Sequence, residues 1–594
     1  MTNQDAIRLT IPKQDLDQSS VFLCEASAVK AWVTSLPMAN LGETTRQLYR
    51  ALTELNRVRM LPTKRMLIIE ELRAPIYFVS RALAKHYLNQ AIILPSQARK
   101  VATLAHTLHL QLATAYTIVA THTSALGKKA GASKPEQLIA QALQRAITDY
   151  NLNIIRHYQL YEPVDEKCWY NLHQFYALAS QHNIADFSVA DTEYGDVSVE
   201  TAYIRAMLMG CSRPNQLRQE DFLQIFSPLN QWARLCSLDK ASKNGLFIID
   251  PSSDSPPIYR SLCGSAINEH CLSLNTHRLN EHILQLHQQD NKAGLRVTDG
   301  EYTISLDLIN HLVLAWAEMS KRSFMRIDSE EALNICIGLS STHHFISGEI
   351  SFEALVQERG ARTYTAMQDN PFLKHDTPQN SRQKDVWDSP YENNLDKSNV
   401  ALESIDFHIK KNETDKKGSS KYHDHPVKML NSSAHGYCVE WPSNRPIAIK
   451  TGEIMGVKEQ HSHNWSIAVI RWVKRTRDEQ TQIGLELISP SASPYGARVI
   501  HRTGNQSDYV RILVLPEVPM IQMPMTLLTP RVPFQTGQKI VINQRGKEIE
   551  VQLTKKLNKT GAYNQFEFRK ITGKQQLNAG TENNDDFDSL WNSL

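Results

Sequence analysis

The sequence predicts an α+β multidomain chain: a helical N-terminal region, then a small β-barrel, then an additional C-terminal β segment. Three observations predict it. Apolar residues recur every three or four positions in the N-terminal part, as one buried helix face requires. From about residue 427 the texture changes to short apolar runs broken by Gly and turn residues, the pattern of a small barrel. Between the two lies a stretch, 366–421, rich in Asp, Asn, Ser and Lys. It holds too little branched apolar surface to offset ordering entropy, and is read as a flexible polar insertion.

Composition narrows the function classes. The 594 residues are 41% hydrophobic and 21% charged, an ordinary globular balance. Lys and Arg total 65 against 62 Asp and Glu, a net charge of +3. Such a balance gives no footprint for a nucleic-acid polymer. Met1 to Asp17 carries no apolar run of signal-peptide length, and no stretch reaches the 18 apolar residues of a spanning helix. The eight cysteines (Cys24, Cys168, Cys211, Cys236, Cys263, Cys271, Cys336 and Cys438) form no CxxC pair and suit free thiols in a reducing compartment. A soluble cytoplasmic protein is expected.

The helical region is read over 1–245. Ser96 follows Pro95 as a candidate cap; Val101, Leu104, Leu108, Leu112 and Val119 then share one face, and Gly127 fits a left-handed stop. Ser133 and Glu136 have capping-box spacing before the stripe Ile139, Leu143, Ile147, Tyr150, Ile154 and Tyr158. Helical spacing also recurs after Pro75, at Ile76, Val79, Leu83 and Tyr87. No repeat of fixed period is present.

A mixed region, 246–321, follows. It opens with a strand at Leu246–Ile249 that stops at Asp250-Pro251 and closes with a helix from about Ile304 to Lys321. Beyond the insertion, strands are expected at Val427–Leu430, Tyr437–Trp441, Pro446–Lys450, Trp465–Trp472 and Ile483–Ile488. In a C-terminal β segment over 501–572, Ile540 and Ile542, a turn at Arg545-Gly546, and Ile549, Val551 and Leu553 read as a hairpin. Phe566 and Phe568 look like a last strand. The tail 573–594, with Asp585, Asp586 and Asp588, is expected to be loose.

One motif carries chemistry. Asn431-Ser432-Ser433-Ala434-His435-Gly436 joins two expected strands. The Asn offers a base-edge hydrogen bond, the Ser a small donor and acceptor, and the Gly a backbone angle or close approach that a Cβ prevents. Alone, the pattern also reads as an Asx-stabilised turn.

With its surroundings the segment from about Lys428 to Ser489 resembles the PilZ family. The family order is D/N-x-S-x-x-G, a Gly-bearing turn, a strand like Ala468–Trp472 and a closing strand like Gly484–Leu487. That resemblance implies a small barrel that binds cyclic di-GMP through an R-x-x-x-R pair just before its first strand. Arg suits such a ligand because its fork grips phosphate or guanine and its plane stacks on a base. No such pair precedes Asn431 directly, and Lys417 and Lys421 have the spacing with the wrong chemistry. Arg322-Ser323-Phe324-Met325-Arg326 does fit, followed by an expected strand from Leu333 to Leu339. The barrel is therefore expected to be split, over 322–345 and 422–500, which loop entropy tolerates. Arg322 and Arg326 also read as solvated residues ending a helix. Tyr437 and His435 depart from the small residues common in the family.

The ligand set implied is Arg322, Arg326, Asn431, Ser433 and Gly436, the arginines folding over the dinucleotide and the motif forming the other wall. Ligand would then alter how the helical part packs and meets an unidentified protein partner, in motility, pilus or biofilm control, with no enzymatic step and no cofactor. The alternative is a ligand-free PilZ-like scaffold. His423-x-His425 and His461-x-His463 have strand spacing for a metal but no supporting Cys or carboxylate, so no metal is expected. Trp465 and Trp472 read as a stacking platform or, the commoner role, barrel core, and Arg498, Arg502 and Arg511 as a basic edge or, the better fit, a solvated face.

Overall fold

Among the described residues the first seven α-helices are α1 (Ala26–Ser35), α2 (Leu41–Leu55), α3 (Pro62–Ala84), α4 (Ser96–Leu126), α5 (Pro135–Gln159), α6 (Cys168–Gln181) and α7 (Val199–Cys211). The computed structural model describes residues 7, 9–241, 245–264, 267–289, 296–300, 302–317, 326–329, 331–356, 422–433, 435–442, 449–460, 462, 464–500, 507–517 and 524–571. Arg322, the insertion 366–421 and the tail from 573 therefore lie outside the described residues, as do Arg502, His461 and His463.

The stripes read from the sequence bury as expected: Leu108, Leu112 and Val119 of α4 face Leu143, Ile147 and Ile154 of α5 in one core. Helix starts differ from expectation. Pro95, not Ser96, occupies the cap of α4, and α5 begins at Pro135 with no side-chain cap, so the Ser133–Glu136 box does not form. Proline at the first helical position needs no such cap, since it has no amide to satisfy. Pro75 lies inside α3 rather than at its start.

The polar side of α5 is buried too. Arg145 and Arg73 both reach the Asp191 carboxylate at 2.8 Å, and Arg205 donates to Thr148 at 3.0 Å. Buried charge is tolerated where it is paired in this way.

The helical core continues past the first half. A four-stranded sheet of Ser237–Lys240, Leu272–Asn275, Phe247–Ile249 and Ile258–Tyr259 packs on it. So do the helices His277–Gln289 and Leu306–Trp316, and Phe247, Leu279, Leu312 and Trp316 share one core with α3 to α7. Ile304 belongs to the strand Tyr302–Ser305, so the helix expected from it starts two residues later, capped by Ser305.

The first barrel uses β1 (Ile327–Asp328), β2 (Ala332–Ile337), β3 (His425–Ser433), β4 (Gly436–Trp441), β5 (Ile454–Glu459), β6 (Ser466–Arg475) and β7 (Thr481–Ser489). Its order is β2-β5-β6-β7-β4-β3, closed by β2 pairing with β3, and β1 continues the edge of β2 along β3. A chain segment before the insertion thus pairs with one after it. Leu339 opens a helix, Leu339–Ile346, rather than ending the first strand, and β5 replaces the strand expected at Pro446–Lys450, where Ile449 and Lys450 are not in a strand.

The second barrel is closed in the order β8 (Ser493–Val499), β9 (Val510–Leu515), β10 (Thr526–Pro530), β13 (Tyr563–Lys570), β12 (Lys547–Lys559) and β11 (Lys539–Gln544). The barrels share an apolar seam in which Ile454, Ile467 and Val469 meet Leu513, Leu515, Leu528 and Tyr563. Arg498 and Arg511 are not simply solvated: Arg498 pairs with Glu548 at 3.0 Å, and Arg511 stacks over Phe352 at 4.6 Å.

Three lobes meet at Arg218 on the helical side. Its Nε donates to the Thr451 carbonyl at 3.0 Å. A Cβ at Gly452 would lie 2.8 Å from its Nη2, and one at Gly561 would lie 2.7 Å from the same atom. The guanidinium fills the gap that two glycines, one from each barrel, leave open.

Candidate functional site

The N-x-S-x-x-G motif ends the β3–β4 hairpin. A register shift between Met429 and Asn431 changes which residues face outward. Val427 and Met429 point into the barrel core with Tyr437, Val439 and Trp441. Asn431 then opposes Cys438, and Ser433 opposes Gly436. Because side chains alternate along a strand, Cys438, Asn431 and Ser433 share the outer face.

Gly436 is required by the barrel itself. Its φ is +150°, and a Cβ there would overlap the Leu485 carbonyl oxygen and lie 2.9 Å from the carbonyl carbon. The glycine thus allows β4 to approach β7 closely.

Arg326 comes to this face from more than a hundred positions upstream. Strand β1 pairs antiparallel with β3, Asp328 opposite Asn431 and Ile327 opposite Ser432. Arg326 immediately precedes this strand, and the register continued one step sets it toward Ser433, on the side shared with Asn431. The side chain is exposed. Burial raises the Cys438 thiol pKa, and the Arg326 charge opposes that rise. The structure brings together four of the five expected residues: Arg326, Asn431, Ser433 and Gly436. Arg322 lies outside the described residues.

Small residues form the floor. Across the strands, Asn431 opposes Cys438, Cys438 opposes Gly484, and Gly484 opposes Trp472. A Cβ at Gly484 would overlap the Trp472 indole, so the ring lies over that glycine on the outer face. Trp472 is therefore not barrel core, as its spacing suggested. The register shift between Ile470 and Trp472 turns it outward. Trp465 also sits outside the inner core, with Phe345 at 5.2 Å between ring centroids. Beside the floor Gly436 opposes Glu486, whose carboxylate is ion-paired with Arg471. Tyr437 faces the barrel interior and donates to Glu459 at 2.9 Å, so it does not crowd the floor.

Sequence reasoning did not select Glu486, and it favoured barrel core over a stacking role for Trp472. Gly484, two residues before Glu486, was the available signal, because a strand glycine marks a close approach. His425 packs edge-on to Trp441 at 5.4 Å, and among the described residues no cluster of His, Cys, Asp or Glu could hold a metal ion.

The opposite end of the barrel meets the helices. Ile92 and Tyr161 insert into its core beside Trp441. Tyr161 donates to the Leu217 carbonyl at 3.1 Å, and Arg475 pairs with Glu162 at 2.7 Å. Strand β4 runs from Gly436 at the outer floor to Trp441 at this stopper, about 17 Å at roughly 3.3 Å per residue.

Three family models match in series. The N-terminal domain of the cyclic-di-GMP receptor FimW matches residues 27–242. Its middle PilZ domain matches 246–494, and its C-terminal β-barrel domain matches 495–571. A curated relative from Pseudomonas aeruginosa, the cyclic-di-GMP receptor FimW, is 33% identical over 613 aligned positions, covering 97% of each chain. The chain belongs to the FimW family. No solved structure matches it.

The FimW middle model includes the split barrel, so the PilZ resemblance holds for the β strands that carry it. That model also reaches back to residue 246, over a stretch in which Phe247, Leu279, Leu312 and Trp316 pack into the helical core. Among the described residues no helix is long and apolar enough to cross a membrane.

Proposed function

We propose that the chain is a cytoplasmic, non-catalytic effector that binds cyclic di-GMP on the outer floor of the first barrel. Arg326 and Arg322 grip the phosphates or stack on a guanine. Asn431 and Ser433 hydrogen-bond the opposite edge, and Trp472 offers a face for a base. Small residues at Gly436, Cys438 and Gly484 leave room for a flat dinucleotide. The output is a change in how the helical lobe sits on the barrel, read by an unidentified protein partner. A role in motility or pilus control fits the relative's naming as a cyclic-di-GMP receptor.

The observation that carries the reading is the register of β1 on β3, in which the two residues that follow Arg326 in the chain, Ile327 and Asp328, lie opposite Ser432 and Asn431 of the motif. A solvated helix end would leave that cation elsewhere. Titration calorimetry of the full chain with cyclic di-GMP tests it. Saturable binding is expected, weakened about tenfold or more by Arg326→Ala, since a charge-assisted contact is worth about 1.5–3 kcal/mol. No heat at high nucleotide concentration, or unchanged affinity in Arg326→Ala, overturns the reading.

A further inference from the structure

We propose that Glu486 reads the guanine base, accepting from its N1–H and exocyclic N2 amine. This rests on the ligand assignment above and adds the group that selects the base.

The position comes from register. Glu486 opposes Gly436 on one side and Val469 on the other. Leu485 packs into the inner core, so Glu486 points outward. It stands between the floor of Ser433 and Gly436 and the seam where Val469 meets the second barrel. The carboxylate is held by Arg471 Nε, and both side chains stay more than 40% exposed. Arg471 is the extra residue in the register shift of β6, just before Trp472. A carboxylate is thus fixed in direction at the edge of the floor, next to the ring on which a base can stack.

The chemistry follows from what cations cannot do. Arginine serves phosphate oxygens and the O6 and N7 acceptors of guanine. The N1–H and N2–H2 edge of guanine consists of donors and needs an acceptor pair. A carboxylate supplies one and has no proton to give at neutral pH. Adenine presents an unprotonated N1 on the same edge, and its lone pair would face the carboxylate. Glu486 would therefore select guanine over adenine and favour guanine over hypoxanthine, which lacks the N2 amine. Asp328, opposite Asn431, is another carboxylate near the floor. It serves as the comparison.

The test is calorimetry on the full-length chain with cyclic di-GMP, cyclic di-AMP and the hypoxanthine analogue cyclic di-IMP. Wild type, Glu486→Gln and Asp328→Asn are compared, with circular dichroism to confirm folding. Glu486→Gln keeps an acceptor for Arg471 while losing the carboxylate. The preference of the wild type for cyclic di-GMP over each analogue should shrink about 5- to 150-fold in Glu486→Gln and persist in Asp328→Asn. A purely structural glutamate would lower affinity for all three nucleotides together. Unchanged preference in Glu486→Gln, or loss of preference in Asp328→Asn alone, overturns the assignment while the receptor reading stands. A wild type that binds no cyclic di-GMP removes both.

Discussion

Substituting Gly436 and Ser433 separately distinguishes what each contributes to the motif. In Gly436→Ala the new Cβ meets backbone, not a movable side chain: 2.9 Å from the Leu485 carbonyl carbon and 3.0 Å from the Glu486 Cα. A backbone angle that only glycine adopts freely adds roughly 1–3 kcal/mol of strain. Parting β4 from β7 at the Gly436–Glu486 pair loosens one or two ladder hydrogen bonds, each worth about 1 kcal/mol. The expected loss is about 3 kcal/mol, a large share of the roughly 5–15 kcal/mol that holds a domain together. In urea that lowers the barrel midpoint by roughly 1–2 M. Ser433→Ala differs, because its hydroxyl makes only a long 3.4 Å contact to the Gly436 carbonyl. Its stability should stay within about 0.5 kcal/mol of wild type while cyclic di-GMP binding weakens. Urea unfolding followed by circular dichroism, with calorimetry alongside, reads both. A Gly436→Ala chain that unfolds together with the wild type refutes the argument that this glycine serves the ladder.

Three further outcomes are expected. Trp472→Ala should weaken cyclic di-GMP binding about 5- to 150-fold by calorimetry, since a base on an aromatic ring is worth about 1–3 kcal/mol, while Trp472→Phe keeps most of it. Tyr161→Ala should cost about 3–5 kcal/mol in urea unfolding by emptying the end of the first barrel; Tyr161→Phe should cost about 1 kcal/mol by leaving the Leu217 carbonyl without its donor. Asp149 is buried and hydrogen-bonded to His109 at 2.8 Å; burial lifts its pKa to about 7, against the opposing pull of Arg73. A carboxyl with a raised folded pKa binds its proton more tightly folded than unfolded, so its contribution is full below about pH 4 and is lost as pH rises through about 7. Thermal melts from pH 4 to 7 should show that decline in wild type and a flatter profile in Asp149→Asn.

Much of the fold was legible because it rests on periodicity. The stripes of α4 and α5 and the strand pairs around Arg545-Gly546 and Tyr437–Trp441 carry repeats that packing then uses directly. The polar face of α5 was not legible, because Arg145 is answered by Asp191 from a loop, and no local spacing encodes that pairing. Strands β9 and β10 went unread for a related reason: they bury residues on both faces, against the second core and against the other barrel, so their alternation is blurred. At the site, Asn431, Ser433 and Gly436 were visible as a motif and Arg326 as half of a pair. Trp472 was assigned to the core because a one-residue register shift reverses which face a side chain takes, and such shifts leave no periodic trace. Glu486 became visible only when β4 and β7 were set side by side.

The clasp at Arg218 has a mechanical consequence. Its fork is wedged against Gly452 of one barrel and Gly561 of the other while its own backbone lies in a loop of the helical lobe. Thr560 donates to the Gly452 carbonyl at 2.7 Å, which keeps the two jaws at a set spacing. Neither barrel can tilt against its neighbour without dragging this one side chain. Two β lobes and a helical lobe therefore share a common pivot, and a strain applied at any one of them is felt by the other two.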